Sequence, residues 1–440
     1  MTRDAARLLL VLAVLVAYAA APWTAFQYDD FRVVVIDRDV HSWTGWVASM
    51  PGLRPLTKAS YVVNWTISPA PAGFALTGVA LHLAASLLVL ALARRWIDAM
   101  APACPRPDVA AMVCALLFAL HPAQTEAVVY IAGRSTALSG LVTLAGLYAW
   151  ERARHATSRA WIAAVIACMA AALAAREAAW TLPFALVLVE VARGSRVVDA
   201  LKRTAPVWMA FAVLVVVAAA VAANRELLAS SLAIRGPLDN LVAQVDAVAY
   251  LVTHPLLTLR LNFDPDLVPR TSLDGAGVAL LAAIIATVVA GMMQLRRRPW
   301  LGFSILWFVL ALLPTHGPLA RLDLVNDRQL YLAIIGPGLV IGILLAPWVR
   351  RRAAIAVSAV LAAILGVATL VRVTDYSSET RLWSATVRAS PANARAWNNY
   401  GHALQQAGNR AEARAALERA LALDPSHRKA RGNLDALGPN

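Results

Sequence analysis

Long apolar runs recur along nearly the whole chain and restrict what it can fold into. Of its 440 residues, 60% are hydrophobic and 15% are charged, and the mean hydropathy is +0.62. A soluble domain of this length does not need so much apolar sequence. Because about 20 consecutive apolar residues cross a bilayer as a helix, the sequence predicts an all-α fold, a polytopic bundle of transmembrane helices.

Eleven runs are candidate spans, and several of them are short. They lie near residues 6–25, 73–93, 108–120, 136–150, 159–175, 177–193, 204–223, 275–294, 299–314, 328–347 and 352–373. A twelfth run covers 241–260 and contains Gln244, Asp246, His254 and Pro255. Polar groups and an interior proline are costly in a lipid-facing helix. This run is therefore predicted to be a re-entrant or surface helix.

The net charge of +14 is distributed in short basic clusters between the apolar runs. The clusters near 94–106, 152–159, 193–203, 296–298 and 350–352 fall on one side if eleven runs span and the N-terminus is cytoplasmic. Cytoplasmic loops are enriched in Lys and Arg, so the charge is a topology signal and does not indicate nucleic acid. An odd number of spans places the C-terminus outside the cytoplasm. The three cysteines give no pattern for a disulfide or a metal site.

Acidic and basic residues converge on the opposite, outer face. The first outer loop, 26–72, begins with Asp29 and Asp30, and the next carries Glu126 and Arg134. A longer outer segment covers 224–274. Ionisable residues close to bilayer depth usually mark function, and these loops together predict one shared site. The structural alternative is a solvated surface with ion pairs.

The C-terminal region, 376–440, changes in composition and follows a 34-residue helical repeat pattern. One full repeat lies near 394–427, and its pattern positions are Trp397, Tyr400, Gly401, Leu404, Ala413, Leu417, Ala420 and Pro425. Small residues at these positions let two helices pack closely, so a tetratricopeptide α-hairpin module is predicted after a membrane domain of residues 1–373. The module is either a packing appendage or a platform that binds peptides. Low-specificity candidates for acceptor binding on it are Trp397, Asn398 and Tyr400.

The order of motifs resembles the transmembrane-and-tetratricopeptide O-mannosyltransferases, within the wider GT-C group of polyprenyl-phosphate-sugar-dependent glycosyltransferases. The matching segments are Tyr28-Asp29-Asp30, Arg54-Pro55-Leu56, His82, Leu120-His121-Pro122, Thr125-Glu126-Ala127, Gly133-Arg134, Arg176-Glu177 and Asp327-Arg328-Gln329. The resemblance covers nearly the whole chain. Two departures are a much shorter repeat array and Arg176 at a position where a lysine is expected.

The resemblance implies a GT-C-like fold and the transfer of a sugar, with mannose as a candidate, from a polyprenyl-phosphate donor to an acceptor hydroxyl. The acceptor would be a periplasmic protein or a glycan, and protein O-glycosylation is one form of this reaction. The Ala- and Arg-rich composition is typical of bacteria and predicts a bacterial inner-membrane protein whose lipid carrier is undecaprenyl phosphate. Apart from the donor substrate, the sequence identifies no cofactor; it leaves a divalent metal open but does not indicate one.

The same resemblance, together with the residue types, assigns roles to the outer-face residues. Asp29 or Asp30 is expected to be the general base, with Asp30 preferred because it lies nearer the following loop; Glu126 is a further catalytic candidate. The expected contacts of the donor phosphate are Arg134, Arg328, Arg54, Arg176 and His121. Alternatives are a glycosyltransferase that modifies a lipid or polysaccharide and a non-catalytic membrane scaffold that recruits partners through the repeat.

Overall fold

A computed structural model describes residues 3–154, 159–349 and 353–438, and within these ranges all regular elements are helical. This confirms the predicted all-α class. The arginines at 350–352, which support the predicted topology, lie outside the described residues, and so does the first residue of the predicted span 352–373.

The membrane domain consists of sixteen α-helices within the described ranges, joined by loops, some of which contain short 3₁₀ or π turns. They are α1 (Arg3–Ala17), α2 (Trp43–Ala48), α3 (Pro55–Ile67), α4 (Pro71–Met100), α5 (Pro107–Leu120), α6 (Thr125–Val128), α7 (Arg134–Ala153), α8 (Ala160–Ala175), α9 (Leu182–Ala192), α10 (Val197–Ala220), α11 (Ala222–Ile234), α12 (Pro237–Leu251), α13 (Gly275–Arg297), α14 (Pro299–Leu312), α15 (Ile335–Leu345) and α16 (Ala354–Asp375).

Five described helical segments are long and apolar enough to cross a membrane. They are Asp4–Trp23, Pro71–Met100, Val197–Ala220, Gly275–Arg297 and Ala356–Asp375. The pair α5 and α6 adds a sixth if its 47° bend lies within one span. Helices α8, α14 and α15 are apolar but shorter, so a membrane protein is supported and the predicted count of eleven spans is not confirmed. In the run 241–260, α12 ends at Leu251 and a π turn follows to Leu256.

Close helix contacts hold the segment that follows α14 against the centre of the bundle. A Cβ atom at Gly342 of α15 would lie 2.3 Å from the carbonyl oxygen of Ala110 on α5, so the absence of a side chain lets these helices meet. Just before α15, the Tyr331 hydroxyl lies 3.0 Å from Nδ1 of the buried His82 on α4. The other ring nitrogen of His82 lies 2.9 Å from the Ala119 carbonyl oxygen. These contacts fix the loop that carries Arg328.

The C-terminal module consists of α17 (Glu379–Ala389), α18 (Ala394–Gln406), α19 (Arg410–Leu423) and α20 (Arg428–Leu437). Helices α18 and α19 form the predicted hairpin. A Cβ atom at Gly401 would lie 2.7 Å from Cγ of Leu417, so a small residue is required at this crossing. Helix α17 follows α16 directly and brings the module onto the loops at the end of the bundle where α1 ends.

Candidate active site

The two adjacent acids after α1 have different surroundings. Asp30 is fully buried: its Oδ2 accepts a hydrogen bond from the Gln27 amide at 2.9 Å, and its Oδ1 accepts one from the Ala132 amide at 2.6 Å. Burial raises the pKa of Asp30 to about 8, although these backbone amides lower it. The Asp29 side chain is 41% exposed, and its nearest cation, Arg32, lies 3.8 Å away. The geometry therefore favours Asp29 as the reactive acid, the reverse of the preference drawn from the sequence.

Asp29 lies in a small depression that we call the acidic pocket, with an empty volume of about 310 Å³. Its lining residues are Tyr28, Asp29, Glu126, Tyr130, Phe263, Asp264, Asp323, Asn326, Arg328, Trp383 and Arg395. Aromatic rings and carboxylates thus line one pocket, and that pocket includes residues of both the membrane domain and the C-terminal module. Aromatic surface beside a few convergent polar groups is typical of small-molecule sites.

Glu126, the third predicted catalytic acid, is buried and already paired with Arg328. Its Oε1 accepts from the Arg328 guanidinium at 2.5 Å, and its Oε2 accepts from the Arg328 backbone amide at 3.1 Å. A second guanidinium nitrogen of Arg328 donates to Asn326 at 3.1 Å. Glu126 therefore fixes the position of Arg328, and both of its carboxylate oxygens already accept a hydrogen bond from Arg328.

Arg328 also lines a larger space, which we call the helix-lined cavity. Its empty volume is about 690 Å³. The lining residues are Thr136, Ser139, Gly140, Thr143, Arg176, Ala178, Ala179, Thr181, Ala185, Trp307, Leu310, Ala311, Pro314, Thr315, Arg328, Gln329, Tyr331 and Leu332. Most of these side chains are apolar or carry a single hydroxyl group. Because Arg328 belongs to both linings, the acidic pocket and the helix-lined cavity are neighbours.

Four arginines interact electrostatically with one another, and two of them, Arg176 and Arg328, line this cavity. Two of the four have a carboxylate partner in direct contact. Arg54 donates to both carboxylate oxygens of Glu177, at 2.8 and 2.5 Å. Arg328 is paired with Glu126, as described above. The charges of Arg54 and Arg328 are thus balanced by contacting carboxylates, whereas those of the other two arginines are not.

The other two members are Arg176 and Arg321. Arg176 is buried and donates only to hydroxyl groups, to Ser135 at 3.1 Å and to Thr136 at 2.6 Å. Within the described residues the Arg321 guanidinium makes no hydrogen bond or ion pair. Burial, followed by the charge of the nearby Arg328, lowers the pKa of Arg321 to about 10. Two cations without a carboxylate partner in direct contact are candidates for binding an anion.

Helices α11 and α12 position the loop that carries Arg321. The Asn240 side chain donates to the carbonyl oxygen of Gly317 at 2.8 Å, and the Ser231 hydroxyl donates to that of Ala320 at 2.8 Å. The Arg235 guanidinium donates to the carbonyl oxygen of Arg321 itself at 3.0 Å. The segment 224–274, which was predicted to lie outside, therefore fixes the position of the loop that carries Arg321. Arg321 was not among the predicted site residues, because the residues that flank it in the sequence do not distinguish it from an ordinary exposed arginine in a loop.

Arg134 and His121, two predicted phosphate contacts, line neither pocket. Arg134 is buried and donates to the carbonyl oxygens of Ser60 at 3.1 Å and Phe74 at 2.8 Å, so it joins the region around α3 to α4. Nδ1 of His121 accepts the Ala123 amide at 3.2 Å and caps the turn between α5 and α6. These placements argue against the predicted phosphate roles and favour structural ones.

The predicted acceptor contacts on the module serve its own packing. The Trp397 indole donates to the Pro391 carbonyl oxygen at 2.9 Å, and the Asn398 side chain accepts from Asn433 on α20 at 3.0 Å. Tyr400 packs in the partly buried interior of the hairpin. None of the three lines either pocket.

Two other module residues, Trp383 and Arg395, do reach the acidic pocket. Arg395 forms a two-point ion pair with Asp264, with Nε 2.8 Å from Oδ2, and it contacts Asp323 at 3.0 Å. Burial raises the pKa of Asp264, and Arg395 opposes that shift. With Asp264 and Asp323 paired to Arg395 and Glu126 to Arg328, Asp29 is the least neutralised acid of the pocket. The spacing of Asp264, Asp323 and Arg395 in the sequence gave no indication that Arg395 pairs with the two acids.

The fold and these two pockets define a class: a helical membrane protein with an arginine cluster beside an acidic pocket and a tetratricopeptide module packed over that pocket. Among the described residues, no group of three or more His, Cys, Asp or Glu is arranged to hold a metal ion.

Comparisons with known proteins agree with this class. Residues 394–427 match the tetratricopeptide repeat family. Protein O-mannosyl-transferase TMTC3 of Mus musculus is 26% identical over 162 residues, 33% of this chain and 17% of that protein. Protein O-mannosyl-transferase Tmtc2 of Drosophila melanogaster is 30% identical over 202 residues, 41% of this chain and 21% of that protein. The chain thus covers about a fifth of the length of these relatives, and no solved structure matches it. The predicted resemblance and the predicted repeat are both confirmed.

Proposed function

We propose that this protein is a membrane glycosyltransferase that moves a sugar from a polyprenyl-phosphate donor to an acceptor hydroxyl. One observation carries the proposal: Arg328 joins an acidic pocket containing the exposed Asp29 to a helix-lined cavity beside the incompletely paired Arg176 and Arg321. The named relatives are O-mannosyltransferases, which supports sugar transfer and makes mannose the first sugar to test.

The helix-lined cavity suits the first isoprenoid units of a lipid carrier, with the phosphate at the arginine cluster. Thr136, Ser139 and Thr143 follow one face of α7 at spacings of three to four residues. Arg176 binds the first of them, and Arg328, which also lines the acidic pocket, belongs to the same cavity lining. A phosphate placed there leaves the attached sugar next to Asp29.

The reaction then requires one bond to form and one to break. The acceptor oxygen attacks the anomeric carbon of the sugar, and Asp29 takes the hydroxyl proton. The bond from the anomeric carbon to the phosphate oxygen breaks, and its electron pair remains on the polyprenyl phosphate. Arg176, Arg321 and Arg328 stabilise the charge that develops on this leaving group. Removing one such preorganised donor typically lowers kcat by about 10² to 10³.

We further propose that the acidic pocket and the module face the periplasm of a bacterial inner membrane. The basic residues at 94–95 and 296–298 lie near the ends of α4 and α13, and the positive-inside rule favours the cytoplasm for them. A periplasm-specific reporter fused after Asn440 should then give signal, and one fused after Arg297 should give none.

The experiment that tests the transfer activity compares two acids of the same loop. Purified protein in nanodiscs receives a polyprenyl-phosphate mannose and candidate acceptors, and mass spectrometry detects the transferred sugar. Asp29→Asn is expected to lower turnover at least 100-fold, whereas Asp39→Asn, at an acid paired with Lys58 outside the acidic pocket, is expected to leave it near wild type. Equal turnover in the two variants would refute the assignment of Asp29.

A further inference from the structure

The junction between α16 and the C-terminal module is hydrogen-bonded to the chain just before Asp29. The Tyr376 carbonyl oxygen accepts from the Ala25 amide at 2.9 Å and from the Gln27 side chain at 2.8 Å. The first residue of α17, Glu379, then accepts the Tyr28 amide through its Oε1 at 2.9 Å. Among these three hydrogen bonds, only the last uses a side chain of the module as acceptor.

Tyr28 has an unusual backbone conformation at this point. Its φ is +42°, in the left-handed region that bulky residues seldom adopt. Such conformations persist only when surrounding contacts enforce them, and they cluster at functional sites. Glu379 holds the amide of Tyr28, and the Tyr28 ring packs edge-on against Trp383 at 5.5 Å between ring centroids. The module therefore supplies both contacts.

The residue after Asp29 is fixed as well. Asp30 is buried and bound to the Ala132 amide, so the backbone on both sides of Asp29 is immobilised. Asp29 itself makes no hydrogen bond through its side chain within the described residues and faces the acidic pocket. A rigid backbone that carries one carboxylate without a hydrogen bond, with Arg32 at 3.8 Å as its ion-pair partner, is an arrangement that can orient a reacting group.

We propose that Glu379 is a positioning residue for Asp29. Its carboxylate holds Tyr28 in the left-handed conformation that directs Asp29 into the acidic pocket, so the module completes the active site. This inference rests on the proposed glycosyl transfer. Control of turnover through Glu379 is a role different from the two left open by the sequence, the packing appendage and the platform that binds peptides.

The test separates the reach of the side chain from its charge. Glu379→Asp keeps the negative charge at the start of α17, where it stabilises the helix, but withdraws the acceptor from the Tyr28 amide by one methylene. Glu379→Gln removes the charge and keeps the acceptor oxygen in place. We expect the Asp variant to lose kcat by about 10- to 100-fold, as for a displaced catalytic group, with an unchanged KM for the polyprenyl-phosphate mannose. The Gln variant should be close to wild type.

Glu418→Ala, at an exposed acid of α19, is the control for general effects on the module and should be active. In the Asp29→Asn background, Glu379→Asp should cause no further loss of turnover, because the group that it positions is already absent. If Glu379→Asp is as active as wild type, or if its effect multiplies with that of Asp29→Asn, the inference is overturned. Absence of transfer by the wild-type protein would instead refute the proposed function.

Discussion

Arg328 has two roles that an alanine substitution would remove together. It is the ion-pair partner of the buried Glu126, and it is proposed to stabilise the leaving phosphate. The variant leaves the Glu126 carboxylate buried without its cation, because Arg328 supplies the guanidinium contact at 2.5 Å. Breaking a buried ion pair in this way destabilises a protein by about 3–5 kcal/mol. Arg328→Ala alone is therefore expected to lower the thermal midpoint and the turnover together, which does not distinguish the two roles.

The double variant Arg328→Ala/Glu126→Gln does distinguish them. The glutamine that replaces Glu126 is neutral and still accepts the backbone amide of residue 328, so most of the lost stability should return. Turnover should stay reduced about 10² to 10³-fold, because the leaving phosphate has still lost one charged donor. Thermal unfolding in detergent measures the first quantity, and mannose transfer in nanodiscs measures the second. If the double variant regains both stability and turnover, Arg328 is structural and the phosphate site is misplaced.

Three further changes test other parts of the site. Arg321→Gln should raise the KM for the donor about tenfold or more, since a hydrogen bond to a charged group contributes about 1.5–3 kcal/mol. Arg388→Gln, on the exposed side of α17, is the control and should leave this KM unchanged. Equal KM values in the two variants would remove Arg321 from the site. Burial raises the pKa of Asp30 to about 8 in the folded protein, so its stabilising contribution is complete below its ordinary pKa near 4 and is lost as the pH rises through 8. The thermal midpoint of the wild type should therefore fall between about pH 4 and pH 8 more steeply than that of Asp30→Asn, and parallel curves would contradict this. Arg395→Ala leaves Asp264 buried without its ion pair and should destabilise the docked module by about 1–3 kcal/mol. The measurement is the rate at which a protease releases the module, which should rise. An unchanged release rate would show that the ion pair does not hold the module against the membrane domain.

Local sequence patterns predicted the elements of this fold. Each apolar run contains a helix within the described residues, and the spacing of Trp397, Gly401 and Leu417 predicted the hairpin. These signals depend on neighbours a few residues apart, which is the range over which helices form. The number of spans was harder to predict, because α8, α14 and α15 are apolar but too short to cross a bilayer by length alone.

The site was predicted only in part because its pairings join distant segments. Asp30 differs from Asp29 through the amide of Ala132, 102 residues away, and no local pattern records that contact. Arg395 meets Asp264 across 131 residues for the same reason. Arg176, Arg328 and Arg54, three of the predicted phosphate contacts, lie near one another in the structure. The sequence could not show which arginines have a carboxylate in direct contact. Arg321 is a candidate for binding the donor phosphate because it has none.

Sugar transfer is tested by following both of its products in one assay. Purified wild-type protein is given a polyprenyl-phosphate mannose with isotopic label in the sugar, together with acceptor proteins and glycans from the periplasm. We expect labelled mannose on an acceptor hydroxyl and release of polyprenyl phosphate in equal amounts, with both products lost in Asp29→Asn. Release of polyprenyl phosphate without labelled acceptor, or transfer that continues unchanged in Asp29→Asn, would contradict this expectation.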